Sequence, residues 1–288
     1  YLKRLNFRQR VYAYPWLRIT QTMDRANMGW KKWYLFWFLG LFTHALLDCG
    51  TTYGTRLFLP FTKYQVAFNN VSVIDPLYTL PFLVLLILMM CYRRGSDKRK
   101  KWFKIAWIVS STYMLLTFGL KFGVHQKFKN TLVEQGKSFT ELNSTPTILN
   151  AILWSGIAYD KDSLHVAEYS YLRNDIPIHW ISFARNLDQM ERYDCEALET
   201  MAWFGDGNYF VEPLSEDSMR FYTTKFGRMR LDTEVASETF MFYATFKKSA
   251  DGSIEYKSMN PRDNDEDGEV MKAYFFQLLD RIGIYSVK

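Results

Sequence analysis

Apolar residues gather into three long runs in the first half of the chain. They are WYLFWFLGLFTHALLDC (Trp33–Cys49), VSVIDPLYTLPFLVLLILMMCY (Val71–Tyr92) and WFKIAWIVSSTYMLLTFGLKF (Trp102–Phe122). A helix that crosses a bilayer needs about 20 mostly apolar residues, at about 1.5 Å each, to cover roughly 30 Å. The second run meets this, and its twelve residues from Leu80 to Cys91 contain no charged or strongly polar side chain. A core helix of a soluble protein usually shows a polar stripe instead. The third run carries Lys104 near one end, where a lysine can reach the interface. The first is shorter and polar at its far end.

From about Ser144 the pattern changes. HVAEYSYL (His165–Leu172), IHWISFA (Ile178–Ala184), MRFYTTKF (Met219–Phe226) and ETFMFYATFKK (Glu238–Lys248) are aromatic and β-branched, with partial alternation. Turn signals such as NDIP and ADGS separate them, so they predict an antiparallel sheet. DQMERYDCEALETMAWF (Asp188–Phe204) and GEVMKAYFFQLLDRIG (Gly268–Gly283) have helical spacing of apolar residues. The predicted architecture is a membrane α-helical N-terminal part of about three spans, residues 1–130 and truncated at its start. An α+β domain with an antiparallel sheet follows at residues 144–288.

Charge adds a direction. Residues 1–129 carry 20 Lys/Arg and 4 Asp/Glu, while residues 130–288 carry 16 and 26, so +16 and −10 sum to the net +6. The basic residues flank the apolar runs, which fits membrane topology better than phosphate contacts, and no nucleic-acid partner is expected. RRGSDKRKKWFK (Arg93–Lys104) holds seven basic residues and one acid, which predicts a cytoplasmic loop. The stretch before the first run, with Lys31 and Lys32, is also basic. The linker Gly50–Asn70 has only Arg56 and Lys63 and is predicted outside. Three crossings then put the acidic half on the outer, extracytoplasmic side of the membrane.

The three cysteines, Cys49, Cys91 and Cys195, form no CxxC and suggest neither a disulfide framework nor a zinc ribbon. NPRDNDEDGE (Asn260–Glu269) clusters aspartates but lacks the spacing of a calcium loop, and reads as a solvated acidic loop. Arg228 and Arg230 read as a solvated strand face or as an anion-binding pair. His125 is expected near the membrane interface, and His165 and His179 as ordinary sheet residues.

The candidate chemistry lies at the end of the first run. His44 and Asp48 stand at i and i+4, on one helical face. An ionisable group inside a span is a functional-site hypothesis by default, and imidazole with carboxylate suits Zn²⁺, Mn²⁺ or Fe²⁺. Asp75 precedes Pro76, so it reads either as the cap of the second helix or as a further ligand or general base.

THALLDCGTTYGTRLFLPF followed by VSVIDPLYTLPFLV resembles a family of bacterial inner-membrane proteins described as membrane-bound metal-dependent hydrolases, which includes a LexA-regulated member. The resemblance rests on His44, Asp48, Thr52, Tyr53, Gly54, Leu59, Pro60 and Phe61, then Ile74, Asp75, Pro76, Tyr78 and Thr79. STPTILNAILWSGIA is similar to the family's segment after the last span, through Pro146, Asn150 and Trp154. The family's PD-x-D and HR-x-x-THS elements have no counterpart here. The resemblance implies a divalent metal at His44 and Asp48 with Asp75 catalytic. Location suggests a phosphate or other ester of a lipid or envelope component as substrate. The alternative expectation is a non-enzymatic, membrane-anchored binding module of the envelope.

Overall fold

The computed structural model describes residues 29–228, 240, 242–258 and 267–284. The chain divides into two units, Tyr1–Asp48 and Cys49–Lys288. In the first, the described residues form one helix, α1 (Trp30–Asp48), none of whose residues is buried. Tyr34, Phe38 and Phe42 stack ring on ring along it, with centroids 6.2 and 5.7 Å apart, as i,i+4 spacing allows.

The second unit opens on a loop held by backbone pairing, with Phe68 N–H donating to Cys49 O at 2.6 Å and Thr55 bridged to Val66. Gly54 has φ +67°, and a Cβ there would stand 2.7 Å from Val66 O, so the turn requires glycine. Helix α2 (Pro76–Met90) starts on Asp75, whose carboxylate accepts the Leu77 N–H at 3.0 Å, with Pro76 in the first turn. Helix α3 (Asp97–Glu134) is capped by Ser96 and runs for 38 residues, roughly 57 Å at 1.5 Å per residue.

The expectation of about three spans is thereby narrowed. Among the described residues only α3 is long and apolar enough to cross a membrane. Helix α2 stops at 15 residues, and α1 includes Lys31, Lys32 and Asp48 in its 19. Both α2 and the first part of α3 nevertheless expose large apolar residues. Leu80, Leu83, Val84, Ile87, Phe103, Trp107, Ile108, Leu115 and Leu116 are all exposed.

Past Phe122 the same helix becomes part of a core. Val124, Phe128 and Leu132, spaced by four, are fully buried against a sheet. That sheet is an antiparallel meander of β1 (Glu141–Pro146), β2 (Leu153–Tyr159), β3 (Ser163–Ser170) and β4 (Ile181–Ala184). Strand β2 alternates as a pleat must. Trp154 and Ala158 pack on α3, while Ile157 packs the other way, with Leu164 and Val166, against Phe210, Tyr222 and Phe240. Gly156 lets the helix approach, since a Cβ there would meet the Phe128 ring at 2.8 Å.

A single sheet was expected; there are two. The second is β5 (Tyr209–Ser215), β6 (Ser218–Thr223), β7 (Phe242–Lys248) and β8 (Ile254–Ser258), again an antiparallel meander. Its far face, with Val211, Met219, Phe221, Ala244 and Phe246, is covered by Tyr193 and by Leu198 of α4 (Glu196–Gly205). The order of layers is therefore α3, first sheet, second sheet, α4. The helix predicted over Asp188–Phe204 is broken: a 3₁₀ turn spans Leu187–Arg192 before α4 begins. Helix α5 (Asp267–Ile282) falls where the spacing predicted it, and Leu278 and Ile282 pack on Leu153. Arg281 of α5 makes a buried two-point ion pair with Glu168 of β3. Arg230 and residues 260–266 of the acidic loop lie outside the described residues.

Candidate functional site

The helical spacing brings His44 and Asp48 into contact, with Nδ1 and Oδ2 3.1 Å apart on an exposed face of α1. Thr43, their neighbour, spends its hydroxyl on the Leu39 carbonyl at 2.7 Å, a bond back to the preceding turn. Two donors make half of a tetrahedral metal set. Among the described residues no group of three or more His, Cys, Asp or Glu side chains comes together.

Asp75 belongs to the other packed unit and is 3% exposed. One of its carboxylate oxygens accepts the Leu77 N–H, and the other accepts the Tyr113 hydroxyl at 2.6 Å. It is the cap of α2 and a tie from α2 to α3. Tyr78 adds a second tie, its hydroxyl 2.8 Å from Ser110 Oγ. His125 stands 3.3 Å from Ser144 Oγ of β1. His165 pairs across the strands with Ser182, and burial beside Lys137 lowers its pKa. His179 is exposed.

Much of the remaining resemblance motif joins α2, α3 and the loop before them to the first sheet. Thr52 and Thr145 share a hydroxyl–hydroxyl contact of 2.5 Å, both buried. Asn70 donates to Thr117 Oγ1 of α3 at 2.8 Å, and Ser72 Oγ accepts the Leu149 N–H at 3.1 Å. Asn150 closes the turn before β2. Its Oδ1 accepts from Ile152 N and Leu153 N at 2.9 and 2.6 Å, and its Nδ2 donates to Thr147 Oγ1 and Ile148 O. Trp154 is core, its indole N–H on Ala151 O at 3.0 Å. On the opposite side, Arg56 lies over the Trp203 ring at 3.8 Å and Tyr53 packs on Phe226 at 4.9 Å.

These joints surround a cavity of about 220 Å³. Thr52 and Tyr53 come from the loop after α1, Val73 and Ile74 from the turn into α2, and Pro146, Thr147 and Ile148 from the end of β1. Thr223, Phe226, Gly227, Arg228 and Phe242 come from the second sheet and its margin. Each of the three quoted motif segments contributes to this wall, a convergence that sequence spacing does not reveal. Arg228, read from the sequence as part of a solvated strand face or of an anion-binding pair, is 6% exposed. Its carbonyl accepts from Arg281 at 3.1 Å.

Residues 7–123 match the model of a family described as YdjM inner membrane protein. That stretch is similar to a bacterial inner-membrane protein. The match covers α1, α2 and the apolar part of α3, and ends where α3 enters the sheet core. No curated protein and no solved structure matches the chain.

Proposed function

We propose that this protein is a multi-pass inner-membrane anchor that holds a rigidly joined α+β binding module against the outer face of the bilayer. One observation carries the reading: α3 passes without interruption from exposed apolar residues to a fully buried stripe inside the sheet core. A continuous helix leaves no flexible linker between anchor and module. Interhelical hydrogen bonds of the Tyr113–Asp75 and Tyr78–Ser110 kind suit helices packed in lipid. In this reading α1, α2 and the first part of α3 are the three crossings.

Sidedness follows from two features. The basic loop Arg93–Lys104 lies at the start of α3, away from the sheets. The weakly charged loop Gly50–Asn70 packs on the module through Arg56 and Tyr53, so the two regions assigned to the outside by charge share one side. A membrane-impermeant maleimide tests this in spheroplasts. Cysteine placed by Lys161→Cys in the β2–β3 turn is expected to react in intact cells, and Cys91, beside the basic loop, only after lysis. The reverse order rejects the topology.

The His44–Asp48 contact favours a second reading, a membrane-bound metal-dependent hydrolase in which Asp75 is a base and an envelope ester the substrate. Its test is the metal content of the full-length protein. Unchanged divalent metal in both His44→Ala and Asp48→Ala rejects this reading and leaves the binding module.

A further inference from the structure

The cavity beside Arg228 has a composition and a position that together specify a ligand. Its wall is mostly apolar, from Tyr53, Val73, Ile74, Ile148, Phe226 and Phe242, and Arg228 is its one charged residue among those described. Val73 and Ile74 immediately precede Asp75, the cap of the apolar helix α2, so the rim stands where the chain enters lipid. Both are about half exposed, at 49% and 56%, as is Tyr53 at 42%, which makes an apolar lip rather than a closed core. An apolar cavity of about 150 Å³ suffices for a benzene ring. The larger volume here takes a ring or a short length of chain, but not a whole lipid.

We propose that this cavity takes part of an acyl chain bearing an anionic headgroup, with the head beside Arg228. The inference rests on the membrane placement proposed above, because a site at that depth meets lipid at high local concentration. A guanidinium suits carboxylate and phosphate alike through its planar fork of donors, so a fatty acid and an anionic phospholipid share the required chemistry. Gly227 fits the same picture. It has φ +75°, and a Cβ would lie 2.7 Å from Ser155 Oγ, so the backbone beside Arg228 stays close to β2 only as glycine.

The experiment uses the full chain in detergent micelles and three diazirine photoprobes: a C16 fatty acid, the matching fatty alcohol, and phosphatidylglycerol labelled in one acyl chain. Cross-linked residues are mapped by mass spectrometry. Labelling at Tyr53, Ile148 or Phe226 by an acidic probe, at least fivefold above the alcohol, supports the proposal, and whichever acidic probe labels more names the source. Ile148→Trp, which fills the cavity, is expected to lower that labelling tenfold without changing labelling at Leu115 and Leu116. Should this variant unfold, Val73→Trp at the exposed rim makes the same test. Labelling at Leu115 and Leu116 without labelling in the cavity overturns the ligand and leaves the membrane placement standing, as does equal labelling by acid and alcohol. A protein that stays dispersed without detergent and labels at neither place overturns the membrane placement itself.

Discussion

Two stretches of one helix have similar side chains and opposite surroundings. Between Phe103 and Phe122, α3 exposes Trp107, Ile108, Leu115 and Leu116, whereas from Val124 to Leu132 its apolar stripe is fully buried. Nothing in helix propensity separates them. The second stretch has a sheet to pack on, with Gly156 cleared to admit Phe128. Among the described residues of the same unit, the first packs on α2, and the proposed membrane would cover its remaining apolar faces. The lesson is that apolarity alone does not say which solvent buries a helix; the partner surface does.

The largest effect that tests this contrast is expected at Phe128. Phe128→Ala should cost the module about 3–5 kcal/mol, as large-to-small core changes do, read as a lower denaturation midpoint of the detergent-solubilised protein. Leu115→Ala, of similar chemistry on the exposed stretch, should stay within about 0.5 kcal/mol. Equal losses would mean that both stretches are core and that the lipid assignment is wrong.

Next comes a charge on the exposed stretch. Leu115→Arg should oppose insertion by about 2.5–3.5 kcal/mol on the translocon scale, measured as the inserted fraction of a glycosylation-tagged chain. A water-facing helix would accept arginine there without loss.

A smaller effect is expected at the joint between anchor and module. Asn150→Ala strips the acceptor from the part-buried Ile152 N–H, which can turn to water, and from the buried Leu153 N–H, whose loss of a partner costs about 1–3 kcal/mol. Its stability loss should fall between those of Leu115→Ala and Phe128→Ala. Cavity labelling by the acidic probes should fall with it, because Thr147 and Ile148 are held by the same side chain.

What could be read in the sequence follows from the same contrast. Helix α5 was legible from its apolar spacing, with Leu278 and Ile282 on the face that packs on Leu153, and β3, β6 and β7 from aromatic and β-branched runs set between turn signals. Strand β2 was not: it is buried on both faces, so LWSGIAY shows no alternation and merged with the segment before it. Strand β1 reads ELNSTP, too polar to suggest a strand. Helix α4 looked longer because its apolar spacing continues through Asp188–Tyr193, where Asn186 in a left-handed conformation starts a 3₁₀ turn instead. The His44–Asp48 contact was legible from i,i+4 spacing alone. The cavity was not, since Tyr53, Ile74, Ile148 and Phe226 meet only once both sheets and the loop before α2 are in place.

The smallest expected effect separates the module from the anchor by pH. Burial, with Lys137 nearby, lowers the pKa of His165 from 6.5, and a hydrogen bond with the Ser138 backbone and the attraction of Asp160 oppose this without reversing it. In the fold the ring therefore stays neutral where an unfolded chain would already take up a proton. The stability this contributes is complete above about 6.5 and is lost as pH falls from there through the folded value. Asp160, held below its usual range first by its hydrogen bond to Ser138, contributes stability lost only in a more acidic window, below about 3.8. Between pH 7 and 5 the decline should thus carry a His165 component, and His165→Gln should flatten the denaturation midpoint across that range. The exposed apolar stretch of α3 has no such group between Ile105 and Leu120, so Leu115→Ala should leave the pH profile unchanged. A profile equally steep with and without His165 would assign the titration elsewhere in the module.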